Sequence, residues 1–337
     1  MIRRLKRFSK QAMCMALVAI LLFQDGMTTM ATEEGTELPK SQPGEVYAYD
    51  AGNAYAEGFF VPTHVYQFGG EFYIADAYNH QILHSNNVGN HPCDWNPVGA
   101  GLYRPHAIAS DGTIYLVVDT DNNRIVTYAK TDVGYQLVES IENVGVRPHY
   151  TVYDSATGQF YVWSSMTGTM YIYKRVANST SIRLKSTKRI RDLDGAYTRS
   201  FTIEGDTIYF PCTGNSAIYA VNKSNFRIKG IYPVASELSE MVQVIHEQNY
   251  YYLVSSANPV KGTTPRITRS RSLEGFGNGG YEDIYSAFEE LDGIPYYITK
   301  GEDGHFYTPV IEGSCKAYIC SFDIVNDTIT NINHMKY

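Results

Sequence analysis

Charge is scarce in this 337-residue chain: charged residues make up 19%, where about 25% is usual for a soluble domain. With 44% hydrophobic content, that scarcity excludes a disordered chain, which needs few apolar residues and high net charge. Basic residues are outnumbered 28 to 35, and the net charge of −7 argues against a general nucleic-acid binder. Cysteine is scarce too, with five positions, and a chain this long does not need cross-links to hold a core. No apolar run reaches membrane-spanning length. Helical periodicity is nearly absent. Its best instance is Tyr281 to Leu291, where Ile284, Phe288 and Leu291 share a face, and a helical connection is expected there. Familiar catalytic signatures are missing, with no Gly-x-Ser-x-Gly elbow and no P-loop. Gly275-x-Gly277-x-x-Gly280 has dinucleotide-fingerprint spacing but follows no βαβ pattern, so a flexible loop is expected. Asp119-x-Asp121-x-Asn123 opens like a calcium loop, but Arg124 replaces the needed glycine and Lys130 the closing glutamate.

The N-terminus has the pattern of a processing segment. Arg3, Arg4, Lys6, Arg7 and Lys10 precede the apolar run Ala12 to Phe23, and Thr29-Met30-Ala31 offers a small-x-small cleavage site. Residues 1–31 are therefore expected to be an export signal, the alternative being an uncleaved anchor. Cleavage would remove five positive charges and Asp25, taking the net charge from −7 to −11. The expected location is secreted or at the cell surface, without a membrane span after cleavage. Cys93, Cys212, Cys315 and Cys320 would remain. Cys315 and Cys320 are close enough for a local bridge, and two unbridged hydrophobes suit them equally well. Residues 32–45, rich in Thr, Glu, Gly, Pro and Ser, are expected to be a linker.

Tyrosine is abundant, at 29 residues, and six of these mark a repeat. The markers are Tyr73, Tyr115, Tyr161, Tyr209, Tyr252 and Tyr307, each in an apolar strand pattern followed by a turn and, in most repeats, a second strand. Units of roughly 40–50 residues hold about four strands each, the sign of a β-propeller. The expected fold is all-β: a six-bladed β-propeller of four-stranded antiparallel blades over residues 46–337. Val46 to Tyr49 are expected to close the ring against the last blade.

The turns after the first two tyrosine strands read Asp76-Ala77-Tyr78-Asn79-His80-Gln81-Ile82 and Asp119-Thr120-Asp121-Asn122-Asn123-Arg124-Ile125. Asp and Asn are expected to close these turns by bonding local backbone. The pair resembles the NHL-repeat signature; the other four repeats are degenerate.

Pro62-Thr63-His64, Arg104-Pro105-His106 and Arg147-Pro148-His149 lie upstream of three tyrosine strands. The histidines are 42 and 43 residues apart, so one structural position in three consecutive blades is expected. The pattern is similar to the peptidyl-hydroxyglycine lyase domain, a six-bladed NHL-like propeller. That resemblance implies that His64, His106 and His149 hold a zinc ion and that Tyr78 is catalytic. This chain departs from it in placing the histidines in consecutive blades and in Thr63 following Pro62. Three neutral imidazoles and a water would make an open zinc site. The alternative is a repeat-encoded histidine that bonds backbone or packs under a tyrosine. The lactonase-type propellers, which hold calcium with Glu, Asn and Asp, are a further analogy that the histidines point away from.

The equivalent place in repeat four is Ser200, beside Arg199, and in repeat five it falls near Gln243. Arg104, Arg147 and Arg199, with Gln243, are candidate ligand-binding residues, a cationic ring suited to a carboxylate or phosphate. The basic run Arg183, Lys185, Lys188, Arg189 and Arg191 fits an exposed outer strand, where charge blocks edge pairing. The functional expectation is a monomeric binding module for a glycan, peptide or protein at the channel face. The alternative is a metal-dependent lyase or hydrolase, with Tyr78 or Arg199 assisting the histidines.

Overall fold

A computed structural model describes residues 58–289, 291–311 and 317–337. The export signal, the linker, the Val46 to Tyr49 strand and Cys315 lie outside the described residues. Six antiparallel sheets form the six blades of a propeller. Blade one contains Pro62–Phe68, Glu71–Asp76, Gln81–Ser85 and Asn96–Pro97 from the axis outward. Blade two contains Pro105–Ser110, Tyr115–Asp119, Arg124–Thr131 and Gly134–Ile141. Blade three contains Pro148–Asp154, Gln159–Ser164, Thr167–Arg175 and Ile182–Asp194. Blade four contains Thr202–Glu204, Thr207–Cys212, Ala217–Asn222 and Ile228–Pro233. Blade five contains Met241–Glu247, Tyr250–Ser255, Arg266–Ser270 and Glu282–Asp283. Blade six pairs Phe306–Ile311 with Tyr318–Val325 and Thr328–Met335, and its inner strand is split into Ile294–Pro295 and Thr299–Lys300.

Each second strand is buried almost throughout because a neighbouring blade covers both its faces. Tyr73, Trp163, Phe210 and Tyr252 are all sealed from solvent there. Burying such a side chain contributes about 1.5–3 kcal/mol. Phe59 forms an antiparallel bridge to Ala317 at the start of the last blade's third strand, so the described N-terminal end meets the last blade.

The Asp-Asn turns act differently from simple turn closure. Asp76 Oδ1 accepts the amides of Phe60 (3.0 Å) and Val61 (3.2 Å), while its Oδ2 accepts from the Asn79 amide group at 2.6 Å. In blade two, Asp119 accepts the Tyr103 amide at 2.6 Å, Asn122 at 2.8 Å and Arg124 Nε at 2.6 Å. The carboxylate therefore stitches the chain entering a blade to that blade's second strand. Burial pushes the Asp76 carboxyl up to about 6, against the pull of these donors.

The helix expected over Tyr281 to Leu291 does not form. Glu282–Asp283 instead pairs with Thr268 and Arg269 as the outer strand of blade five, and Tyr285–Phe288 is one 3-10 turn. Ile284 and Phe288 are buried, so their apolar spacing reflects a turn packed on the blade. Gly275–Asn278 is a single helical turn, not a flexible loop. A Cβ at Gly277 would lie 2.3 Å from the Pro233 carbonyl oxygen, so close backbone approach explains that glycine. Cys212 and Cys320 are buried free thiols and Cys93 is an exposed one.

Candidate functional site at the channel mouth

Inner strands open with a one-residue bulge, and this decides which side chains are equivalent. Pro62 pairs with Asp76, Pro105 with Asp119, Pro148 with Ser164, Thr198 with Cys212 and Met241 with Ser255. The residue after each of these skips the ladder. Thr63, His106, His149, Arg199 and Val242 thus share one position. His64 is one residue further on, in register with Ala107, Tyr150, Ser200 and Gln243. One shared position therefore holds for His106 and His149 but not for His64. The residues just before the bulge form a rim: Val61, Arg104, Arg147, Tyr197 and Glu240. Arg199 belongs to the histidine layer and not to the rim, which corrects the repeat assignment of the arginines.

Only two of the three histidines meet. His106 and His149 lie against each other, with ring centroids 4.0 Å apart. His106 Nδ1 lies 2.8 Å from the Arg104 carbonyl oxygen, and His149 Nδ1 lies 2.8 Å from the Tyr297 hydroxyl. His64 Nδ1 accepts the Ile108 amide, and its ring contacts Tyr150 and Tyr297. Burial drives His64 and His106 down to about 3 and His149 well below its ordinary value, so all three are neutral at pH 7. Among the described residues, no three His, Cys, Asp or Glu side chains are placed to share a metal ion. The donor set therefore does not fit the zinc site that the lyase resemblance implies.

The axis itself is filled from blade six. Between the halves of its split inner strand, Tyr297 and Ile298 leave the sheet, while Tyr296 N still donates to Pro309 O of the second strand. Tyr297 N donates to Thr63 O of blade one and its hydroxyl to Arg199 O of blade four, while Ile298 N donates to Gln243 Oε1 of blade five. Gln243 is spent on this contact and on the Tyr150 hydroxyl, deep in the channel and away from the mouth.

At the mouth the arginines do come together with acids and tyrosines. Arg104 Nη1 and Arg147 Nη2 reach opposite oxygens of Asp121, at 3.2 and 3.3 Å. The Arg104 guanidinium lies over Tyr78, 4.5 Å from the ring centroid. Arg199, 3% exposed, donates to Thr213 Oγ1 and Met241 O, covers Tyr197 at 4.8 Å and lies 4.0 Å from Glu240. Glu240 also takes Lys261 at 2.8 Å. Four cations thus face two carboxylates while the imidazoles stay uncharged. Arg104 and Arg147 both have left-handed backbone, at φ 50° and 56°, immediately before proline. That conformation is disfavoured for a side-chain-bearing residue. It is held by their amides donating to His80 Nδ1 and Asn123 Oδ1.

Sequence reasoning missed Asp121, Tyr197, Glu240 and Tyr297. Correct repeat register would have found Tyr197 and Glu240, which occupy the rim position of Arg104. Tyr297 lies in the split strand, where no repeat pattern reaches.

The chain is a six-bladed propeller with four-stranded antiparallel blades. No protein-family model and no curated protein matches it. Among solved structures it is similar to a proposed 6-phosphogluconolactonase of Bacteroides uniformis, with 11% identity, a TM-score of 0.56 and coverage of 81% of this chain and 84% of that one. A similar protein of Bacteroides fragilis, also a proposed 6-phosphogluconolactonase, gives 11% identity, a TM-score of 0.56 and coverage of 81% and 82%. Hydrazine synthase of Kuenenia stuttgartiensis gives 15% identity, a TM-score of 0.55 and coverage of 80% and 79%. At these identities the likeness shows the fold alone, and folds do not fix function.

Proposed function

We propose that the protein is an exported, NHL-like propeller that binds an anionic ligand at the channel mouth, through Arg104 and Arg147. The observation that carries this reading is the pair of left-handed rim arginines sharing Asp121. Two disfavoured backbones hold two guanidiniums side by side, and such outliers cluster at binding sites. Asp121 acts as the resident counterion, and a ligand carboxylate or phosphate would take over its role with bidentate geometry. Tyr78 and Tyr103 flank Arg104 and give the ligand an aromatic edge. This local excess of cations stands on a chain of net charge −7.

Thermal denaturation with citrate and with inorganic phosphate tests the reading. A ligand at a hundredfold excess over its Kd stabilises by about 2.7 kcal/mol. Stabilisation by either anion should disappear in Arg147→Gln. It should strengthen in Asp121→Asn, which removes the competing carboxylate. Equal stabilisation of the wild type and Arg147→Gln would sink the proposal.

A further inference from the structure

Unpaired positive charge is concentrated on blade three. Across the rest of the described surface most cations meet a carboxylate: Lys130 meets Glu71, Lys223 Asp154, Lys229 Asp206, Lys261 Glu240 and Lys300 Glu247. On the outer strand Ile182–Asp194, only Arg189 does so, with Asp194. Among the described residues, Arg183, Lys185, Lys188 and Arg191 have no carboxylate partner, nor does Lys174 on the adjacent strand.

Edge protection does not account for this. The outer strands of the other blades are edges too, yet Gly134–Ile141, Asn96–Pro97, Glu282–Asp283 and Thr328–Met335 carry no lysine or arginine. Ile228–Pro233 carries one lysine, and it is paired. Lys174 and Arg183 are also directly opposite in the antiparallel ladder, where like charges destabilise.

Cross-strand partners share a sheet face, as do residues two apart. Lys174 and Arg183, Ile172 and Ser186, and Met170 and Lys188 are such partners, so all six belong to one face. That face borders a groove of about 460 Å³ towards blade four, lined on this side by Ile172, Ser186 and Lys188 and on the far side by Asp206, which is paired with Lys229, and Lys223, which is paired with Asp154. Thr157, Gln159 and Ser224 add hydroxyl and amide groups, while the rings of Tyr161 and Phe226 are buried beneath them at 3% and 8% exposure.

We infer that this groove binds an acidic polysaccharide. The cations supply sites for carboxylate or sulfate groups. The hydroxyls and amides match sugar hydroxyls. The site is separate from the channel mouth and does not depend on the reading of that face.

Binding of the full chain to labelled polygalacturonate and to a heparin oligosaccharide tests the inference. Neutral dextran, poly-glutamate and single-stranded DNA run alongside. At least one acidic polysaccharide should bind, more weakly as salt rises. The variant Lys174→Gln/Arg183→Gln/Lys188→Gln should lose about tenfold or more in affinity with an unchanged circular dichroism spectrum, and Lys300→Gln on blade six should lose none. The preferred polymer identifies the anionic group. As a fold-independent check, Lys174→Glu should weaken binding while raising the melting temperature, since it places opposite charges across the ladder. Failure of both acidic polysaccharides at low salt, undiminished binding by the triple variant, or equal or tighter binding of poly-glutamate or DNA would overturn the inference.

Discussion

His106 shows what burial does to a titratable side chain in this protein. Its ring is sealed, lies against His149 and is held near 3, far below the ordinary 6.5, chiefly by loss of solvation. The sign of the linkage follows. A histidine with a depressed folded value contributes stability that is present above about 6.5 and lost as pH falls towards 3. His64 acts in the same window and His149 in the same direction. Asp76 opposes them, because its raised value makes its burial costly above about 6 and easier below. Asp119, also raised by burial, opposes them too, and three groups outweigh two, so the unfolding free energy should fall as pH is lowered from 6.5. His106→Gln should flatten that slope by about 1.4 kcal/mol per pH unit. Urea titrations at a series of pH values measure it, and an unchanged slope would refute the assignment.

The inner strands show how far a sequence can be read at the scale of an element. Tyrosine-led strands were legible because a blade buries the same strand in every repeat, so Tyr73, Tyr115 and Tyr161 recur with its period. The Pro-His pattern was legible as a cluster but not as a site. A single skipped residue separates His64 from His106 and His149, and a bulge leaves no mark in residue spacing. Arg104 and Arg147 were found and do meet, at Asp121. That aspartate was visible only as part of a failed calcium loop. The supposed helix over Tyr281 to Leu291 failed because burial of Ile284 and Phe288 satisfies a helical spacing without helical backbone. Glycine placement was misread for a related reason. Gly277 marks close approach to Pro233, a long-range contact. Gly277→Ala should therefore cost about 1–3 kcal/mol, measured as a shift in urea midpoint at constant slope. A neutral result would mean the turn is as loose as its composition implies.

Ring closure belongs to the whole molecule. Phe59 is fully buried, bridges Ala317 and makes edge contacts with Trp95 and Tyr337, so it joins the two described ends of the ring. Phe59→Ala should cost about 3–5 kcal/mol. Because it sits where the two described ends of the ring meet, beside the Phe72–Tyr307 ring contact, its loss should also raise hydrogen exchange in blades one and six before the rest. Uniform exchange would show that closure is shared more widely.

The blade-six tyrosine that spans the axis turns the propeller from a tube into a cup. A ligand held at the arginine rim would meet this tyrosine, tied to blades one, three and four, instead of an open bore, and would leave by the way it came.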